Sequence, residues 1–224
     1  DSRIKIVKQP IWEPYVLFKK FTGYTSNSYN ALISAEKKTS WKQKLAVFLR
    51  GNFFIPDARC FWIRPSIKFL SGYLNEYPQD VIISTGPPHS MHLIALGLKK
   101  RFPKIQWIAD FRDPWTMIDF YKDLRLTWLA DRVHHRQEAS VLKWADEIVT
   151  ISPSCADDLQ KLAGRKITVI NNGFDEQDFE GEAPLLDRQF SIVHIGSMNK
   201  DRNPKLLWQI LGEMVKEDAN FKQA

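Results

Sequence analysis

Two short polar clusters hold the residues best suited to chemistry. The first is Thr85, Gly86 and His89, and the second is Asp110, Arg112 and Asp113. Carboxylates three positions apart on one loop can supply a base and an orienting group, or can clamp sugar hydroxyls. The competing reading is that Arg112 ties both aspartates into a structural ion-pair knot. Pro87 and Pro88 follow Gly86 at an expected helix entrance, where proline has no hydrogen bond to lose and glycine can take up a tight turn. The first helical amides would then point outward, and an anion could dock on them.

Both clusters follow β-branched apolar runs. DVIIS (80–84) reads as a strand, HSMHLIALGLKKRF (89–102) as an amphipathic helix and IQWIA (105–109) as a second strand leading into DFRDPW. That order is a βαβ unit of a parallel sheet. Ligands of such sheets collect at the carboxyl ends of the strands, so the two clusters should share one crevice.

The remaining segments extend the same pattern. Residues 4–7 suggest a short strand, 14–23 a short helix and 25–39 a loop. Within 41–50, Trp41, Leu45 and Phe48 recur at helical spacing, and either the core or a membrane could receive that face. The run NFFIPDARCFWIRP (52–65) reads as irregular, with Asp57 and Arg59 as candidates to line an acceptor cleft and Trp62 as core, before a helix at 66–77. A long helix is expected at 124–145. On it His134 and Glu138 lie four apart, but two ligands alone do not make a metal site, and Glu138 is expected to pair with a basic neighbour. Strands at 147–151 and 167–170 flank a helix opened by Ser152 and Pro153. Asn172 and Gly173 follow in NNGFD, where Gly173 is expected to make a left-handed turn. EQDFEGEAPLLDR then reads as a linker. FSIVHI (190–195) suggests a further strand, followed by a loop and by a helix opened at Asn203 and Pro204.

With 44% hydrophobic and 12% aromatic residues in 224, the chain can build a packed core. No apolar run reaches spanning length and no signal peptide opens the chain, which suggests a soluble or peripheral protein. Cys60 and Cys155 are far apart in sequence, as expected in a reducing compartment, so a cytoplasmic location is expected. Up to Cys60 there are eleven Lys and Arg against four Asp and Glu, so the whole +6 excess lies in the first quarter. Cations interleaved with aromatics suit an anionic membrane surface, at about 1 kcal/mol per cation, or a lipid-phosphate acceptor. They also suit a solvated helix face with aromatic packing beneath it. No nucleic-acid motif accompanies the charge.

VIISTGPPHSMHLIALGLKK, WIADFRDPW, KWADEIVTIS, VINNGFDEQDF and IVHIGSMNKDRNP resemble, in order, landmarks of bacterial glycosyltransferases of family 4, which have the two-domain GT-B architecture. The resemblance implies an α/β fold: a Rossmann-like parallel sheet with flanking helices, followed by the start of a second Rossmann-like domain. It divides the chain into an acceptor-side N-terminal domain (1–178) lacking its first strand-helix unit of about 30 residues, a linker (179–189) and the beginning of a donor-binding domain (190–224). It also implies retaining transfer from a nucleotide-sugar donor to a glycan or lipid-linked acceptor of the cell envelope, without an essential metal or other cofactor. Asp113 and Asp110 would be catalytic, and Thr85, Gly86, His89, Arg112, Asn172 and Gly173 would bind substrate. Gly196, Ser197 and Arg202 would meet the donor phosphates. Many members carry an Arg after the glycine and a Lys-Gly pair at the loop's end, whereas this chain has Ser197, and Asn203 with Pro204. The family's acidic donor motif would lie beyond Ala224, so this polypeptide is expected to be inactive alone. The alternative is a non-catalytic Rossmann-like module that binds a phosphorylated ligand or a membrane surface.

Overall fold

The computed structural model describes residues 4–11, 41–181, 187, 191–196, 198, 203–218 and 221. The chain divides into two compact units, Asp1–Gly173 and Phe174–Ala224. In the first unit, four strands form a parallel sheet in the order β1 (Val81–Gly86), β2 (Gln106–Phe111), β3 (Glu147–Thr150) and β4 (Thr168–Val169). Sequential parallel strands need a crossover each. The crossovers here are the helices α3 (Ser90–Arg101), α4 (Trp128–Trp144) and α5 (Pro153–Ala163). Two helices precede the sheet, α1 (Trp41–Phe53) and α2 (Ile63–Glu76). This is the Rossmann-like α/β sheet with flanking helices that the strand-helix alternation implied.

Strand alternation decides which side chains meet the helices. Ser84, Gly86, Trp107, Ala109, Phe111, Ile148 and Thr150 are all buried, and they pack with Val141, Leu142 and Ala145 of α4 and Ala156 and Leu159 around α5. The alternate positions are half-buried or exposed, with Ile83 at 69% exposure. A second cluster joins α2 to α3 through Leu74, Ile94, Leu98 and Ile105, with Trp62 packed against it. The helices approach closely at Gly97, where a Cβ would overlap Ile67.

Local chemistry sets the element ends. Thr127 caps α4 by accepting from the Ala130 amide at 3.3 Å, and Ser152 caps α5 by accepting from the Cys155 amide at 3.3 Å, with Pro153 at the first turn. Gly164 closes α5 in the left-handed region at φ 64°. The long helix expected from 124 starts later, because Tyr121–Leu124 is a 3-10 turn and Arg125 is left-handed at φ 52°. Gly173 is not among the positive-φ glycines, so the left-handed turn expected there does not form.

Among the described residues, two expected strands do not form. Residues 4–11 lie along α2, where Gln9 O accepts from Trp62 Nε1 at 3.2 Å and Lys5 Nζ sits 5.2 Å from the Tyr73 ring. In the second unit, residues 191–195 pair with no described strand. Apolar β-branched composition alone does not make a strand, because the backbone donors and acceptors need a neighbouring edge. The second unit does form the expected helix after Pro204, α6 (Lys205–Glu217). The helix and loop expected at 14–39 lie outside the described residues.

The base of the sheet is pinned by one ion pair. Lys99 Nζ, almost fully buried at the end of α3, meets Asp146 Oδ2 at 2.7 Å and donates to the carbonyls of Pro103 (3.0 Å) and Ile105 (2.7 Å). Asp146 also accepts from the Trp107 amide at 2.7 Å, which ties helix, β2 and the start of β3 together. Burial disfavours the Asp146 carboxylate, but the hydrogen bonds from Lys99 and Trp107 outweigh it and hold the group below the usual aspartate range. A depressed carboxylate stabilises the fold above its unfolded pKa, about 3.9, and that stabilisation is lost as pH falls through the folded value. Asp146→Asn is therefore expected to cost about 1–2 kcal/mol at neutral pH, the low end for a charged hydrogen bond because solvent reaches the carboxylate. In urea titrations at several pH values, the gap between variant and wild type should close below about pH 4.

Candidate functional site

The carboxyl ends of β1 and β2 carry the two polar clusters side by side. In the sheet register Thr85 faces Asp110 and Gly86 faces Phe111. Thr85 Oγ1 donates to Asp110 Oδ2 at 2.8 Å, and the Arg112 amide donates to Gly86 O at 3.0 Å. One hydroxyl thus fixes the first aspartate, while the next loop residues emerge into solvent. Arg112 and Asp113 are both exposed, and among the described residues neither enters an ion pair. The ion-pair knot that the sequence allows does not form.

The start of α3 corrects the expectation of an anion site. The Ser90 amide donates to Asp57 Oδ2 at 2.8 Å, and the amides of Met91 and His92 donate to the carbonyls of Pro88 and His89, both at 3.1 Å. Leu93 N also donates to His89 O, at 3.3 Å. No amide of this first turn is left for a ligand, and the anion at the helix start is the protein's own Asp57. Asp57 thus serves as a capping group rather than lining a cleft. Pro87 and Pro88 precede the capping residue His89 instead of opening the helix.

Gly86 is glycine for a steric reason. A Cβ there would lie 2.5 Å from His92 Nε2 and 3.3 Å from His89 Nδ1. His92 cannot withdraw, because its ring is fully buried and its Nδ1 lies 2.8 Å from Ser84 Oγ. Ser84 Oγ accepts from Trp107 Nε1 at 2.9 Å and is also hydrogen-bonded to His92 Nδ1, so one hydroxyl holds both rings. Sequence reasoning missed His92. Its signal was a lone serine on the inward face of an apolar strand, with histidines three apart on the helix that follows.

His89 is held by stacking. Its ring lies flat on Trp115, with centroids 4.7 Å apart and planes 3° from parallel. Burial, with His134 as a lesser charge effect, lowers its pKa from 6.5 to about 3, and burial lowers His92 to about 3 as well. Both rings are neutral at physiological pH. Their Nδ1 (His89) and Nε2 (His92) atoms have no hydrogen-bond partner.

Helix α4 clamps the loop after β2. Trp115 Nε1 donates to His134 Nδ1 at 3.1 Å, and Thr116 donates from its amide (3.3 Å) and its hydroxyl to the two oxygens of Glu138. Glu138 therefore pairs with a threonine and not with the basic neighbour expected. Burial raises the Glu138 pKa and lowers that of His134. Among the described residues, no three His, Cys, Asp or Glu gather as a metal site, and no helix is long and apolar enough to cross a membrane.

The other candidates lie apart. Asn172 and Gly173 follow β4 at the same end of the sheet, three strands from β1. Gly196, in the second unit, has φ 138°, while Ser197 and Arg202 lie outside the described residues.

Three outcomes follow from this packing. Gly86→Ala should cost about 1–3 kcal/mol in denaturant titration, since a pinned ring must move to admit one methyl. Because His89 and His92 bind protons when unfolded but not when folded, stability should fall as pH drops from about 6.5 toward 3. Trp115→Ala should raise the His89 pKa toward 6.5, read from its imidazole proton resonances, and an unchanged value would contradict burial as the cause.

No curated protein and no solved structure matches this chain. The family model described as Glycosyltransferase Family 4 matches residues 31–178, which takes in all four strands and both loops of the site. A match over more than half the chain establishes that the chain belongs to glycosyltransferase family 4.

Proposed function

We propose that this polypeptide is the acceptor-side part of a retaining, GT-B glycosyltransferase that moves a sugar from a nucleotide-sugar donor to a glycan or lipid-linked acceptor of the bacterial cell envelope. The observation that carries the proposal is the contrast between two neighbouring aspartates. Asp110 is engaged by Thr85, whereas Asp113, three residues on, is exposed and unpaired among the described residues at the mouth of the strand ends. Asp113 then orients the acceptor hydroxyl or supports charge near the reacting carbon, with Arg112 beside it and the loop that carries His89 alongside. The departing nucleotide phosphate assists the proton transfer, so no dedicated protein base is required. Gly196, Ser197 and Arg202 attend the donor phosphates. No metal or other cofactor takes part, and the enzyme works as a peripheral protein on the inner face of the cytoplasmic membrane.

The competing reading, a phosphate-binding module without chemistry, loses its main support because Asp57 occupies the helix start where a phosphate would dock. The test is Asp113→Asn in the full-length enzyme, assayed for sugar transfer to lipid phosphates. Turnover should fall by about a hundredfold or more with the thermal transition unchanged. Wild-type turnover in the variant removes Asp113 from the mechanism.

A further inference from the structure

Helix α1 carries its apolar stripe on the outside. Its small residues face inward: Ala46 is buried, and Gly51 packs so closely that a Cβ would lie 2.8 Å from Leu124 O and 2.8 Å from Leu126 Cδ2. The large ones, four apart along the helix, face solvent, with Trp41 67%, Leu49 39% and Phe53 69% exposed and Leu45 beside them. Ordinary amphipathic packing would put these residues in the core. Val47 and Phe48 of the same helix are half-buried, so its apolar residues divide between an inward and an outward face.

The end of α1 is hydrogen-bonded to the start of α4. Asn52 Oδ1 accepts from the amide and hydroxyl of Thr127 at 2.7 and 2.8 Å, and Asn52 Nδ2 donates to Arg125 O at 3.2 Å. This joint sets Trp128 (73% exposed) and Leu129 (64%) immediately after the end of α1. Cations edge the surface. Lys44 is exposed on α1, Arg125 sits at the joint, and the Arg132 guanidinium lies 5.4 Å from the centre of the Trp128 ring. The α1 sequence WKQKLAVFLRGNF has three cations and no acid, while Asp131 on α4 is taken up by Tyr121 at 2.9 Å.

We infer that the α1 stripe with Trp128 and Leu129 is the surface by which this domain lies on an anionic lipid bilayer. Tryptophan, phenylalanine and leucine beside lysine and arginine match the acyl boundary below and the charged headgroups around it. A second copy of the chain is a poorer occupant, because two such faces meeting about a twofold axis would set the same cations against each other. The inference sharpens the membrane part of the proposed function by naming the surface, and rests on that reading for its biological sense alone.

The test is flotation of the full-length protein with phosphatidylcholine vesicles, with and without phosphatidylglycerol. Wild type should float with the anionic vesicles only, and less at high salt. The triple variant Leu49→Ser, Phe53→Ser, Trp128→Ser should lose at least tenfold in vesicle affinity with an unchanged circular dichroism spectrum, since all three side chains are exposed. Lys44→Gln with Arg132→Gln should lose affinity for anionic vesicles while leaving the fold intact. Equal binding by wild type and triple variant overturns the proposal, as does a dimer that the triple variant dissolves without any vesicle binding. Transfer to a detergent-dissolved acceptor separates the two readings. Transfer without flotation sinks the surface alone, and flotation without transfer sinks the glycosyltransferase reading alone.

Discussion

The placing of the two polar clusters depends on a buried chain of hydrogen bonds that runs from Trp107 through Ser84 to His92. All three residues are sealed inside the domain. In that environment an unpaired donor or acceptor costs about 1–3 kcal/mol, so the three groups hold one another in a single arrangement. The same bond holds His92 Nε2 where a Cβ on Gly86 would come within 2.5 Å, which leaves room for no side chain at the end of β1. The helix that carries His92 is thereby locked to the sheet, and His89, three residues earlier, is delivered to the carboxyl edge beside the loop of Asp110 and Asp113.

Charge is handled differently at the two ends of the sheet. At the amino end, buried Lys99 is matched by Asp146 and two carbonyls, an arrangement whose only evident task is stability. At the carboxyl end, the buried titratable groups are neutral histidines and a carboxylate, Glu138, that spends both oxygens on Thr116. Those contacts order the loop backbone through Trp115 and Thr116 without consuming Asp113 or Arg112. A loop fixed by its flanks but unpaired at its centre is what a binding site for a polar ligand requires, because ordering is already in place before the ligand arrives.

The sheet and its crossover helices were legible in the sequence because each is a local matter. β-Branched runs broken by polar turns mark β1 to β3, and Ser152 with Pro153 marks the start of α5 without reference to the rest of the chain. The run FSIVHI and residues 4–7 read equally well as strands, yet 191–195 and 4–7 pair with no strand among the described residues, since pairing depends on a partner edge that no local pattern records. The placement of the two clusters at one end of a parallel sheet was also legible, as it follows from topology alone.

What the fold alone decided is which groups were already spoken for. That Asp57, 33 residues away, caps the helix on which a phosphate was expected is a contact no spacing rule foretells. The same holds for the partners of His134 and Glu138, which lie on the loop after β2, and for α1, where Trp41 and Leu45 are exposed while Phe48, read on the same stripe, is half-buried. Sequence determines the period and the type of a side chain, whereas its partner is set by which surfaces the packed helices bring together, and a polar group's chemistry is whatever its partner leaves over.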